Sequence, residues 1–428
     1  MNISSWLAIK AFFLTKLNRF KNRDDLLLWQ EKMWERHQRN VLVNSPFYSR
    51  YVGKPLSDWP VMGKKEHMEK FNSINTASLD RETALTIAIK SEQDRNFTPT
   101  YNGYSVGLSS GTSGNRGLFV VSENERAEWA GTIVAKILPF KFQKQKIAFF
   151  LRANNNLYET VNSKLIAFKF FDLKDDIEDH IKALNLFKPD ILIGPAQILA
   201  ILAKYQRNKL SISPSKIISV AEVLEENDKV NIESAFTLSV SQVYQCTEGF
   251  LGNTCEHGNL HLNEDIIIVE KDWIDADKTR FVPIITDFKR STQPIIRYRL
   301  DDILVEEKEI CPCGSPFTRL KKVEGRCDDI IKLTSPQGDL KEVFPDFIRN
   351  AIIASSEHIE EYQVSQIEPE KLLIKLYPLN NKNKKSVKQS LIPLWQMLNV
   401  NPPNLKFDQY VNMDLTAKKR RVTGLKHV

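Results

Sequence analysis

Nine consecutive residues concentrate small and hydrogen-bonding side chains: Ser109-Ser110-Gly111-Thr112-Ser113-Gly114-Asn115-Arg116-Gly117. Five of the 16 glycines in the chain (Gly103, Gly107, Gly111, Gly114 and Gly117) fall in or just before this run. Glycine lets the backbone turn so that successive N–H groups point into one concavity, and hydroxyls and a guanidinium add further donors. Such a loop suits a phosphate. It lacks the Gly-Lys-Ser/Thr ending of P-loop proteins, and no strand–loop–helix frame surrounds it. Taken alone, it reads equally as a phosphate cradle or a surface loop. A second set is rich in sulfur. Cys255 and His261, followed by Cys311 and Cys313, offer three thiolates and an imidazole, a donor set for tetrahedral Zn²⁺. Four protein ligands would leave no open position, so such a zinc would be structural. The gap between Cys311 and Cys313 is tighter than usual. His257 is the alternative ligand, and reduced buried thiols are the other reading.

These residues need a scaffold, and the patterning supplies one. A length of 428 residues allows about two to four domains. A hydrophobic share of 42% and a charged share of 26% exclude disorder, collagen-like repeats and a disulfide-rich secreted scaffold. Five cysteines, odd and sparse, favour a reduced compartment, and the expected location is cytoplasmic. The spacing predicts a helix over 24–43, a short strand over 118–121, and a capping box at Ser122–Glu125 that opens a helix running through Leu138. Strands over 147–151, 190–193, 216–220 and 240–244 alternate with helices over 175–187, 196–205 and 225–236. That alternation argues an α/β fold whose sheets are mainly parallel and flanked by helices. Beyond residue 250 the texture becomes strand-rich. The apolar run Trp6–Leu14 is too short to span a membrane and lacks a signal-peptide cleavage site. It reads as an ordinary packed helix, or as an amphipathic helix in peripheral contact with a membrane, since Trp6, Phe12 and Phe13 adjoin Lys10, Lys16 and Arg19.

Charge is unevenly placed. Residues 371–428 hold twelve Lys/Arg against Asp408 and Asp414, a net of +10, while the first 370 carry 48 − 51 = −3. Nucleic acid is not the expected partner, since that reading would rest on the basic end segment alone.

Five segments in order carry a family likeness. Ser109–Gly117 resembles the Ser/Thr/Gly signature loop of the adenylate-forming superfamily of acyl-CoA synthetases, adenylation domains and luciferases. Tyr244-Gln245-Cys246-Thr247-Glu248-Gly249 is similar to its Tyr-Gly-x-Thr-Glu element. Pro294-Ile295-Ile296-Arg297-Tyr298-Arg299-Leu300-Asp301-Asp302 resembles its Arg-Tyr-x-x-x-Asp segment, and Gly325-Arg326-Cys327-Asp328-Asp329 its Gly-Arg-x-Asp-Asp domain junction. Leu415–Val422 resembles the C-terminal loop bearing a catalytic lysine. Ser45-Pro46-Phe47-Tyr48, PIIRYR and Cys311-Pro312-Cys313-Gly314 resemble the phenylacetate–CoA ligase and CapK-like branch, some members of which carry a structural zinc at these cysteines and histidine.

The resemblance implies a large domain over 1–326, with a strand-rich subdomain, and a small mobile α+β lid over 327–428. It implies ATP, Mg²⁺, a carboxylic acid (aryl or arylacetic as the first guess) and coenzyme A, in a monomer or homodimer. Ser109, Ser110, Gly111, Thr112, Ser113, Gly114 and Arg116 would hold the β- and γ-phosphates, Thr247 the α-phosphate and Glu248 the magnesium. Tyr244 and Glu222 would border adenine, Asp302 would accept from the ribose hydroxyls, and Arg326 would contact ribose or phosphate. Lys418 would bridge acyl carboxylate and α-phosphate, with Lys419 its neighbour in the run, and Asp328 would be the hinge. Cys246 and Cys327 read as packing residues. Asn115-Arg116, Gln245, Leu300-Asp301 and Ala417 depart from the family pattern without removing a charge the chemistry needs. The rival readings are transfer to a non-CoA acceptor (cofactor, amine, alcohol or carrier protein) and a non-catalytic nucleotide-binding regulator.

Overall fold

The computed structural model describes residues 3–96, 99–109, 117–139, 143–152, 163–206, 208–411 and 418–425. Ser110, Gly111, Thr112, Ser113, Gly114 and Arg116 of the signature loop, and Ala417 before Lys418, lie outside the described residues. Contacts divide the chain into two units, residues 1–300 with 305–322, and residues 301–304 with 323–428.

The first unit is built on a broad α/β sheet. Five parallel strands, in the spatial order Ile166–Asp172, Gln145–Leu151, Ile191–Gly194, Lys216–Val220 and Val240–Gln245, form one half. The helices Ile177–Phe187, Ala196–Tyr205 and Glu226–Phe236 connect successive strands, the long crossovers that parallel strands need. These strands are apolar along both faces (Ile191, Leu192 and Ile193 are all buried), which is how a sheet covered on two sides reads. The strand-rich segment beyond residue 250 continues the same sheet. Phe250–Thr254 pairs antiparallel with Val240–Gln245 and with Leu260–Leu262. Farther out, Ile267–Trp273 pairs antiparallel with Arg280–Asp287.

The signature loop hangs from a separate antiparallel sheet. Thr100–Tyr101, Tyr104–Leu108 and Leu118–Val121 pair in that order, with Leu108 opposite Leu118 across the loop. The loop is thus strand–loop–strand, and the predicted helix follows the second strand. Ser122 accepts from the Glu125 N–H while Glu125 accepts from the Ser122 N–H, a reciprocal cap that opens the helix Glu123–Ile137.

The second unit is α+β. Its four-stranded sheet runs Asn404–Gln409, Lys371–Tyr377, Glu361–Glu368, Val422–Thr423, with helices Pro345–Ser355 and Asn381–Met397 beside it. Strict alternation places Tyr362 opposite Leu376 and Val364 opposite Ile374, all buried. With Ile348, Ile352, Val387, Leu391 and Trp395 they make an independent core.

Candidate functional site

In the first unit the base of the signature loop is closed by its own ends. Ser109 N–H donates to the Gly117 carbonyl at 2.7 Å, and Gly117 N–H donates to Ser109 Oγ at 2.7 Å. Lys64 Nζ, from the first turn of the helix Lys64–Glu69, donates to the same Oγ at 3.0 Å. A cation therefore stands at the mouth of the loop, although neither charge patterning nor the motif singled it out.

Glu248 follows the strand Val240–Gln245. Burial would push its carboxyl up, but the Thr247 hydroxyl, Cys246 and the Tyr298 hydroxyl hold it below the ordinary carboxylate range. The Thr247 hydroxyl donates to Oε2 at 2.8 Å and the Tyr298 hydroxyl to Oε1 at 3.0 Å. The result is a charged, partly accessible hard oxygen donor. Tyr298 is held in turn by His67, whose ring meets it edge-on at 5.2 Å. Nε2 of His67 lies 3.2 Å from the Pro294 carbonyl and must carry the proton there. Burial lowers the His67 pKa to about 4, so the ring is neutral at pH 7.

Arg290 joins the two halves of this site. Its Nη1 donates to the Thr247 carbonyl at 2.9 Å and its Nη2 to the Val120 carbonyl at 3.5 Å. Gln293 adds a clamp, accepting from Val120 N–H and donating to the Leu118 carbonyl. The buried Glu125 carboxylate fixes this strap, accepting from the N–H groups of Ser291 and Thr292 and from the Thr292 hydroxyl. Asp287, fully buried beside Gly249, accepts from Lys289 N–H at 2.6 Å, and burial pushes its carboxyl up to about 6. Glu222 Oε2 accepts from Gln197 N–H at 3.1 Å, at the start of the helix Ala196–Tyr205. Ala221 before it has φ +66°, a conformation that L side chains rarely adopt and that clusters at functional turns. Tyr244 is buried in its strand. Arg297 is a structural pin: it makes a two-toothed pair with Glu270 and donates to the carbonyls of Ser57 and Trp59.

The second unit gathers charge around the Gly-Arg-x-Asp-Asp junction. Arg326 Nη2 pairs with Asp301 at 2.9 Å, and its Nε lies 3.5 Å from Asp328. Burial would lower the Arg326 pKa, but Asp302, Asp328, Asp301 and Asp329 together raise it. Arg420 pairs with Asp328 at 3.1 Å and with Asp329. Within the run Lys418–Arg421 the charges divide. Lys419 pairs with Glu361 at 2.7 Å and Arg421 with the same carboxylate at 3.0 Å, whereas Lys418 is exposed.

The sulfur set converges. Ligand atoms of Cys255, His261, Cys311 and Cys313 all lie within 4.8 Å of one another. Cys255 Sγ is 3.7 Å from Cys311 Sγ, and Cys313 Sγ is 3.6 Å from His261 Nε2. A tetrahedron with ordinary Zn–S and Zn–N lengths has edges of about 3.8 Å between sulfurs and about 3.6 Å between sulfur and nitrogen. His261 Nδ1 lies 3.2 Å from the Phe317 carbonyl, which fixes the proton there and leaves the Nε2 lone pair facing the sulfurs. The alternative ligand His257 is exposed and outside the cluster.

No family model matches the chain. It is 25% identical over 349 residues to Protein CapK of Staphylococcus aureus, spanning 75% of this chain and 72% of that one. A further 204-residue alignment, 22% identical and covering 44% of each chain, is to phenylacetate-coenzyme A ligase of Thermus thermophilus. The fold matches 2-hydroxyisobutyryl-CoA ligase with a TM-score of 0.62 at 16% identity, over 94% of this chain and 89% of that chain. These likenesses support the adenylate-forming superfamily and, within it, the CapK and phenylacetate–CoA ligase branch.

The superfamily motifs are distributed between the two units. The first ties Thr247, beside Glu248, through Arg290 to Val120 in the strand that leaves the loop, and holds Ser109, Glu222, Tyr244 and the sulfur cluster. The second holds Asp302, Arg326, Asp328 and Lys418. Sequence reasoning missed Lys64, Arg290 and Asp287, and named Tyr298 only as a motif letter. Only Tyr298 lies in a superfamily motif; the other three carry no local signature.

Proposed function

We propose that the chain is an ATP-dependent ligase that activates a carboxylic acid as acyl-AMP with release of pyrophosphate and then passes the acyl group to coenzyme A. The observation that carries this reading is the Glu248 carboxylate, kept charged by the Thr247 and Tyr298 hydroxyls and tied through Arg290 to the strand that leaves the signature loop. Joining a carboxylate to a triphosphate brings two anions together, so the site needs a hard cation, donors for phosphate and a mobile positive charge. Glu248 would hold Mg²⁺, which neutralises phosphate charge when bound. Lys64 and the signature loop would take the β- and γ-phosphates, Lys64 supplying charge where relatives often carry lysine inside the loop. Thr247 would meet the α-phosphate, Tyr244 and Glu222 would border adenine, and Asp302 and Arg326 would serve the ribose.

Lys418 would neutralise the charge that develops where acyl oxygen meets the α-phosphate. The place of Lys418 in the motif-like run Leu415–Val422 supports it as the catalytic member of the pair. Asp328 is the proposed hinge, and residues 327–428 the lid. Coenzyme A as acceptor draws on the named activity of the Thermus relative and on the structural neighbour solved with 2-HIB-AMP and CoA. Cys255, His261, Cys311 and Cys313 would hold one structural Zn²⁺.

ATP–pyrophosphate exchange over a panel of aryl, arylacetic and short aliphatic acids tests the first half-reaction. Adding CoA, hydroxylamine or an amine then separates the acceptors. Exchange with at least one acid is expected. ATP binding without exchange across the panel would overturn the reading in favour of a regulator.

A further inference from the structure

The helix Ile3–Leu17 is packed inside out. It meets the helix Glu123–Ile137 through its small residues: Ala11 is buried, and a methyl group on Gly131 would stand 2.0 Å from the Ala8 carbonyl oxygen. The two backbones touch there, and only glycine permits it. The Ser4 hydroxyl also donates to Glu123. The large apolar side chains point the other way. Ile3 is 75% exposed, Trp6 48%, Phe13 52%, Leu14 57% and Leu17 74%. At 100° per residue these five share one face with Lys10. Scattered exposed leucines need no explanation, but a contiguous apolar helix face does.

The charge carried by the helix and the residues just after it has one sign. Residues 3–23 contain Lys10, Lys16, Arg19, Lys21 and Arg23 and no acidic residue. Arg23 is engaged by Glu264, while Lys10, Arg19 and Lys21 are exposed. Lys16 is half-buried, with its ammonium in the field of Arg19 and Lys136. The Lys10 ammonium lies 4.8 Å from the centre of the Trp6 ring, an apolar body with a cationic tip beside it. A second copy of the chain would set these cations against their own equivalents, because a two-fold interface pairs like with like. An anionic lipid surface complements both features, taking apolar rings at the acyl boundary and cations at the headgroups.

We propose that the helix Ile3–Leu17 is a peripheral anchor for an anionic membrane surface, with Trp6, Phe13 and Leu17 inserted at the acyl boundary and Lys10, Arg19 and Lys21 on the headgroups. No helix among the described residues is long and apolar enough to cross a membrane, so the contact lies in the plane of the interface. It is independent of the proposed reaction.

The test is co-sedimentation of the full chain with vesicles of phosphatidylcholine alone or mixed equally with phosphatidylserine. Binding is expected to the mixed vesicles, at least about tenfold weaker to phosphatidylcholine, and largely lost in ~1 M salt, where the screening length falls to about 3 Å. Trp6→Ser with Phe13→Ser should weaken binding by at least about tenfold. Lys10→Glu with Lys21→Glu should abolish the preference for phosphatidylserine. All four positions are exposed, so each variant should keep the wild-type melting temperature. Two results overturn the proposal: no binding to the mixed vesicles, or binding that neither variant changes. A concentration-dependent dimer that Trp6→Ser with Phe13→Ser dissolves, without vesicle binding, would assign the face to a second copy instead.

Discussion

Asp287 offers the sharpest physical test, because its charge is set against its surroundings. Burial raises its carboxyl from the ordinary 3.8 to about 6, against the Lys289 N–H and the positive charge of Arg290 and Lys289. A folded-state pKa above the unfolded one means that the stabilising contribution is fully present below about pH 4 and lost as pH rises through about 6. Above that window the folded protein carries a penalty of about 2 pH units, or about 3 kcal/mol. Replacing Asp287 with asparagine keeps an oxygen for Lys289 N–H and removes the penalty. Asp287→Asn should therefore stabilise the first unit near neutrality and gain about 2 kcal/mol less at about pH 4.5 than at about pH 7.5. His37 and His67, each lowered to about 4 by burial, destabilise the wild type over much of the same acid range, but they do so equally in the variant and cancel from the difference. Urea unfolding followed by tryptophan fluorescence suits the measurement, since six of the seven tryptophans (all but Trp395) lie in the first unit. A gain that is equal at the two pH values, or larger at the acid one, would refute the reasoning.

Four further outcomes follow. Lys418→Ala should abolish acid-dependent exchange while sparing thiolysis of supplied acyl-adenylate. Lys419→Ala should keep exchange but cost the second unit about 1–2 kcal/mol, because Glu361 loses one of its two cations; urea melts and exchange assays on both variants check the register. Tyr298→Phe removes one hydrogen bond to a buried, charged carboxylate, so the first unit should lose about 1.5–3 kcal/mol near neutrality, read by urea unfolding. Metal analysis should find about one zinc per chain, and Cys311→Ser should lower both the metal content and the melting temperature.

The sheet was legible wherever a segment announced itself locally. The helix Ala196–Tyr205 and the strand Lys216–Val220 fall where their periodicity puts them, and Ser122 and Glu125 cap each other as their spacing demands. Two of the elements that were passed over are instructive. Tyr101-Asn102-Gly103-Tyr104 holds an Asn-Gly turn with φ of +50° and +83°, a strong hairpin signal inside a segment that otherwise looked like loop. The strand Ile166–Asp172 sits at the sheet edge, where its partly exposed Ala167 and Lys169 dilute the apolar run expected of a buried strand. The site was legible as motif letters but not as wiring. Lys64 reaches Ser109 across 45 residues and Arg290 reaches Val120 across 170. A contact made by folding alone leaves no periodicity to read.

The Arg290–Gln293 strap has a consequence for divergence among relatives. On the loop side it grips Val120 and Leu118 only through backbone atoms, and on the motif side it grips the Thr247 carbonyl. Any residue type but proline presents those same atoms. Residues 118 and 120, both buried in the core, can therefore exchange among apolar types of similar size without loosening the strap, while Arg290, Gln293 and the Glu125 beneath them cannot. Distant homologues too dissimilar to align by their loops should still be recognisable by that conserved trio.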